Sequence, residues 1–177
     1  MVVEHGRSRV EYTVAVRATF NNKLSATEIV LRIPTPLNTT TVDVKCATGK
    51  GKYVPAENVI IWKYVPLPST YCHLFWCLMS GERIPRLQGG AECTLTAMAE
   101  LSSTTNRQAW ARPPIDVDFQ VLMFTASGLL VRFLKVFEKS NYNSVKWVRY
   151  LTKAAGSYQI RVSQFPMVVL IFFFFFC

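Results

Sequence analysis

The chain has 177 residues, half of them apolar, and carries 20 Lys and Arg against 11 Asp and Glu, a formal charge of +9. A chain of this length buries about 70 % of its unfolded surface, so disorder is not the expectation, and the charge points to an acidic partner, whether nucleic acid, anionic lipid or acidic protein. Cys46, Cys72, Cys77, Cys93 and Cys177 form an odd set without paired spacing, and no basic-then-apolar leader opens the chain, so we expect a reduced, cytosolic protein.

Alternation of period two, the mark of a half-buried strand, recurs from the start, and helical periodicity is nearly absent. Over 10–18, Val10, Tyr12, Val14, Val16 and Ala18 face one way while Glu11, Thr13 and Arg17 face the other. Ile29, Leu31 and Ile33 repeat the pattern up to Pro34 and Pro36, and Val42, Val44 and Cys46 oppose Asp43 and Lys45. A short apolar run covers 59–62, the odd positions of 93–101 are apolar, and Ile115, Val117, Phe119 and Val121 alternate against Asp116 and Asp118. Two further strands are expected over 129–137 and 146–151. Many short strands separated by Pro, Gly and Asn predict an all-β sandwich rather than a βαβ fold.

Residues 64–83 (YVPLPSTYCHLFWCLMSGER) interrupt this rhythm with aromatic and Cys residues and read as an insertion. The final residues, PMVVLIFFFFFC, are apolar from Met167 onward, but the run is about half of the ~20 residues a spanning helix needs.

Catalytic chemistry has little to stand on. His5 and His73 are far apart, and neither belongs to a nucleophile elbow or a zinc-protease signature. His73 between Cys72 and Cys77 lacks the second ligand pair of structural zinc, and GKGK at 49–52 lacks the length and final Lys-Ser/Thr of a phosphate loop. No enzyme, cofactor or metal is expected.

Several stretches, in order and in register, resemble the medium (mu) subunits of clathrin adaptor complexes: VEYTVAVRATFNNKLSA at 10–26, RIPTPLNT at 32–39, GKGKYVPAENVIIWK at 49–63, WARPPI at 110–115, SGLLVRFLKVFE at 127–138 and KWVRY at 146–150. The prolines of PTPLNT and WARPPI favour the endocytic, plasma-membrane member. The resemblance implies the mu homology domain, an elongated, immunoglobulin-like pair of β-sandwich subdomains, truncated here on its N-terminal side. Residues 6–123 would form most of the inserted subdomain and 124–161 the last strands of the first one.

The resemblance also implies partners and sites. The partners would be the large and small adaptor subunits, cytosolic cargo tails with tyrosine-based signals and a phosphoinositide membrane, with no nucleic acid. The protein would be peripheral on clathrin-coated pits at the plasma membrane. Trp147 and Arg149 match the pocket for the signal's tyrosine, and alternation puts them on one face. Lys146, Val148, Val131 and Leu134 match the pocket for its apolar residue, although strict alternation would separate Val131 from Leu134. The aspartate that accepts the tyrosine hydroxyl in the family falls in the expected missing part. Lys50, Lys52 and Lys63 match a phosphoinositide-binding patch, with Val54 standing where the family has a further lysine. The alternatives are a tail-anchored membrane-associated sandwich and a generic basic-face binding module without cargo recognition.

The resemblance stops at 64–83 and after Arg161, and both departures fit translated introns. Lys63, Tyr64 and Val65 can be encoded with the donor GTATGT, and removal of 64–83 restores WKIPRL. Val162 and Ser163 can be encoded as the donor GTGAGT, and Phe172 to Phe176 suit a thymine-rich acceptor tract. Sequencing the gene across both junctions is expected to reveal these donors, and codons lacking them would exclude this origin.

Overall fold

The computed structural model describes residues 2–5, 8–64, 86–102, 110–136 and 147–161, together with the backbone alone of 168–171. No helix occurs among the described residues, and none is therefore long and apolar enough to cross a membrane. The period-two stretches become β1 (Val2–His5), β2 (Arg9–Ala18), β3 (Ser25–Pro34), β4 (Thr39–Cys46), β5 (Lys50–Val54) and β6 (Val59–Lys63). They continue as β7 (Arg86–Gln88), β8 (Glu92–Leu101), β9 (Ile115–Leu122), β10 (Leu151–Ala154), β11 (Gln159–Ile160) and β12 (Val168–Ile171).

Two sheets result. One runs β1-β2-β8-β4, with β12 also on β2, and the other runs β10-β9-β3-β6-β5, with β11 on β9 and β7 on β3. Every pairing is antiparallel except β12 on β2, which sets Val168 beside Ala15 and Ile171 beside Ala18 in a parallel ladder.

Alternation dictates which face of each sheet is hidden. Val10, Tyr12, Val14, Val16 and Ala18 from β2 and Leu95, Ala97 and Ala99 from β8 are buried on the first sheet. They join Leu31 and Ile33 of β3, Ile60 and Trp62 of β6, and Val117, Phe119 and Val121 of β9 in one apolar cluster. Apart from Ile60 and Trp62, which lie in an apolar run without a marked face, these are the sets that alternation marks as one-sided, and their burial supplies the main driving force for folding, about 25 cal/mol per Å² of apolar surface removed from water. The fold class is the expected β-sandwich.

Two local features depart from plain alternation. In β3 the register against β9 slips between Thr27 and Val30, so both Ala26 and Thr27 are buried before Ile29 restores the period. Glu28 takes up the extra residue of this bulge with a left-handed φ of 54°. The hydroxyl of Tyr12 is buried without a hydrogen-bond partner among the described residues, and its burial pushes the phenol's pKa far above the ordinary value.

The strands expected over 129–137 and 146–151 are not formed as such. Residues 129–136 and 147–150 make no ladder, and regular pairing begins only at Leu151, opposite Leu122 of β9. Alternation marks the faces of a strand but supplies no partner, and 129–136 finds none among the described residues. The expected insertion at 64–83 lies outside the described residues beyond Tyr64, and of the apolar tail only the β12 backbone is described.

The two sheets come into close contact where β4 meets β5. A Cβ built on Gly51 would stand 2.5 Å from Val44 Cγ1 and 2.8 Å from Cys46 Sγ, both on the opposite sheet. Gly51→Ala should therefore overpack this corner and destabilise the chain by ~1–3 kcal/mol, read as a lower urea midpoint. An unchanged midpoint would show that the corner can open at no cost.

Candidate functional site

The ladder register positions the basic patch. In β5 and β6, Lys50 pairs with Lys63 and Lys52 with Ile61, while Gly51 pairs with the buried Trp62. Since Gly51 and Trp62 face the core, Lys50, Lys52 and Lys63 must all stand on the outer face, where all three are exposed. Among the described residues none of the three takes part in an ion pair.

The turn leading into β5 is held from inside. The Trp62 indole N–H donates to the carbonyl of Thr48 at 2.9 Å. Gly49 has φ of 91°, and a Cβ there would stand 2.4 Å from the Lys63 carbonyl oxygen. A residue with a side chain would push the turn off β6 and shift Lys50 relative to Lys63.

Further across the same outer face the charges are neutralised. Arg32 of β3 bonds Asp118 of β9 at 2.6 Å, and Asp118 also accepts the Gly156 N–H at 2.8 Å. Burial alone would raise the Asp118 pKa, but the Gly156 N–H, the Arg32 guanidinium and the charge of Lys153 together hold it below the ordinary value. Lys50, Lys52 and Lys63 at the β5–β6 end stand apart from this neutralised set. A cavity of about 210 Å³ beside the bulge is lined by Glu28, Val30, Asp118, Phe119, Lys153, Ala154 and Ala155, and none of the sequence-predicted site residues borders it.

The second cluster lies at the other edge of this sheet. From 147 to 151 exposure alternates, with Trp147, Arg149 and Leu151 outward and Val148 and Tyr150 half-buried. Trp147 and Arg149 are both exposed, Trp147 at 68 %. Two hydrogen bonds tie this stretch to the one before it: Met123 N–H donates to the Tyr150 carbonyl and Val131 N–H to the Tyr150 hydroxyl, both at 2.8 Å.

Val131 and Leu134 are exposed at 46 % and 42 % and lie in a stretch without a ladder, so the alternation rule that would have separated them does not apply. The structure links Val131 to the Tyr150 region but encloses neither Val131 nor Leu134 in a pocket among the described residues. Lys146 lies outside the described residues. The sequence pattern gave no notice of Tyr150 as the tether, because a phenol's bonding partner on a distant backbone N–H leaves no local signal.

Together these observations define an all-β sandwich with exposed basic and aromatic residues toward two edges of one sheet. The sequence model of the adaptor complexes medium subunit family matches residues 1–162, and the chain belongs to that family. It is 46 % identical to the AP-2 complex subunit mu of Dictyostelium discoideum over 164 residues, 92 % of this chain and 33 % of the relative. The corresponding protein of Schizosaccharomyces pombe is 40 % identical over 92 % of this chain and 32 % of its own length. That of Saccharomyces cerevisiae is 35 % identical over 87 % and 28 %. The chain thus spans about a third of the length of these curated relatives.

Lys50 and Lys63 are like charges directly opposite one another, an arrangement that weakens a sheet by ~0.2–1 kcal/mol. Lys63→Glu should therefore raise the urea midpoint slightly while reducing affinity for anionic ligands. A lowered midpoint would refute the like-charge reading of this pair.

Proposed function

We propose that this chain is a binding module, not an enzyme, and serves as part of a clathrin adaptor medium subunit in vesicle-mediated transport and endocytosis. Its partners in this reading are the large and small adaptor subunits, and it acts as a peripheral protein of clathrin-coated pits at the plasma membrane. Residues 6–123 and 124–161 would supply parts of two subdomains of the mu homology domain.

The observation that carries the membrane half of this reading is the face shared by Lys50, Lys52 and Lys63, exposed and without acidic partners among the described residues. Two facing ammonium groups and a third two residues along suit multiply charged phosphate as point charges. They suit it better than they suit each other, since their mutual repulsion is relieved only when an anion binds. Phosphoinositide headgroups are the proposed ligand.

A tyrosine-signal site at Trp147 and Arg149, with Lys146, Val148, Val131 and Leu134 for the apolar residue, is the second function. It is supported by the shared exposure of Trp147 and Arg149, where a guanidinium and an indole can flank an incoming phenol ring. An extended cargo peptide would add backbone bonds along a sheet edge. The aspartate expected to accept the signal's hydroxyl is not among these residues, and an unpaired buried hydroxyl costs ~1–3 kcal/mol, so this chain alone should bind such peptides weakly.

The test is co-sedimentation of the full chain with phosphatidylcholine vesicles with and without phosphatidylinositol bisphosphate. Each basic residue near an anionic surface contributes ~1 kcal/mol, so replacing Lys50, Lys52 and Lys63 together by Ala should weaken binding roughly a hundredfold. Equal binding by the wild type and the triple variant would overturn the membrane reading.

A further inference from the structure

The ladder registers place a further cation beside the three lysines. Arg32 of β3 stands directly opposite Ile61 of β6, and Ile61 stands opposite Lys52 of β5. Val30, two residues before Arg32, is opposite Lys63, so Lys63 is the diagonal neighbour of Arg32, with Cα atoms about 7–8 Å apart. Leu31 and Ile33 of β3 and Ile60 and Trp62 of β6 are buried in the core. Arg32, Ile61 and Lys63 between them therefore stand on the outer face with Lys52. The half-buried Ile61 has a cation on the strand to either side, Lys52 and Arg32, and Lys63 next along its own strand.

On its other side Arg32 has an acidic neighbour in the mirror-image position. Val30 is opposite Asp118 of β9 and Arg32 opposite Asp116, so Asp118 too is diagonal to Arg32, at the same ~7–8 Å. The guanidinium lies that way: its Nη1 donates to Asp118 Oδ2 at 2.6 Å. This bond uses one nitrogen of a fork that carries five N–H donors. The Arg32 side chain is 41 % exposed, and an ion pair open to water contributes little net stability because solvent screens both charges.

Loss of Arg32 would not strand the acids. The Gly156 N–H donates to the other Asp118 oxygen, Oδ1, at 2.8 Å, and the charge of Lys153 also favours the carboxylate. Asp116 accepts the Gln159 side-chain amide at 2.9 Å. A multiply charged phosphate seated over Ile61 meets Lys52 and Lys63 as point charges and offers the guanidinium two oxygens, where Asp118 takes a single bond.

We infer that Arg32 is a further contact of the phosphate site, exchanged between Asp118 in the free chain and the phosphate in the bound one, and that Asp118 is a built-in competitor which lowers the affinity of that site. The inference rests on the proposed phosphoinositide reading and adds to it a residue, and a limit on affinity, that the three lysines do not supply. The chemistry recognised is a cluster of phosphates on one ring, shared by a lipid headgroup and a soluble inositol phosphate.

The test is a double-mutant cycle on the full chain, with Arg32→Gln, Asp118→Asn, both together, and the triple lysine variant beside them. The probes are soluble inositol hexakisphosphate, read by calorimetry, and phosphatidylcholine vesicles containing phosphatidylinositol bisphosphate, read by co-sedimentation. Asn keeps an acceptor for the Gly156 N–H, and the urea midpoint of each variant checks its folding. Asp118→Asn should bind both probes roughly fivefold more tightly and Arg32→Gln roughly fivefold more weakly, and with Arg32→Gln in place the gain from Asp118→Asn should vanish. Should Arg32→Gln fold poorly, Arg32→Lys, which keeps the charge but loses the fork, takes its place in the cycle with a smaller loss. An equal gain from Asp118→Asn with and without Arg32 would overturn the inference, since Asp118 would then act only as a general negative charge. So would unchanged affinity in Arg32→Gln. Coupling on the soluble probe alone would keep Arg32 as a contact and assign the ligand to a free inositol phosphate. Binding of both probes by the triple lysine variant as by the wild type would instead overturn the phosphoinositide reading itself.

Discussion

The burial of Trp62 is the constraint on which the rest of the arrangement depends. Its side chain is enclosed between the sheets, and its indole N–H reaches the Thr48 carbonyl. That bond fixes the turn into β5, and with it the register that sets Gly51 against Trp62 and Lys50 against Lys63. Period two then leaves no freedom: if Trp62 and Gly51 face inward, Lys63, Lys50 and Lys52 face water. A patch of like charge on the outside is maintained by an aromatic on the inside, and the cost of that repulsion is small against the apolar burial that enforces it.

The same sheet distributes its charges unevenly. Arg32, Asp118 and the Gly156 N–H form a satisfied set near its middle, and Asp118 keeps its charge well into acid because these partners outweigh its burial. The lysines at the β5–β6 end have no such partners among the described residues. This contrast, rather than the net charge of +9, is what makes one region a candidate anion site. At the opposite edge the apolar side chains of 129–136 stand exposed without a ladder among the described residues, and the Val131 N–H reaches the Tyr150 hydroxyl. The family relationship accounts for this sandwich, and the chain spans only about a third of the relatives that it matches.

Much of the fold was legible in the residues themselves. Val10 to Ala18 and Ile115 to Val121 alternate without interruption, and a strand with one buried face is the only regular structure that such a pattern serves. Those positions are the buried ones. Where two readings of alternation competed, at Val131 and Leu134, the pattern could not help because the stretch carries no ladder at all.

What the sequence by itself determined is therefore the face on which each strand residue lies, and hence the sandwich, because side-chain alternation is a local property of extended backbone. It did not determine which strands pair, that 129–136 forms no ladder among the described residues, or that the Tyr150 hydroxyl accepts from Val131. Those depend on contacts between residues far apart in the chain. The bulge at Glu28 and the close approach at Gly51 belong to the same category: each is decided by pairing and packing between separate elements, which only the tertiary structure brings together.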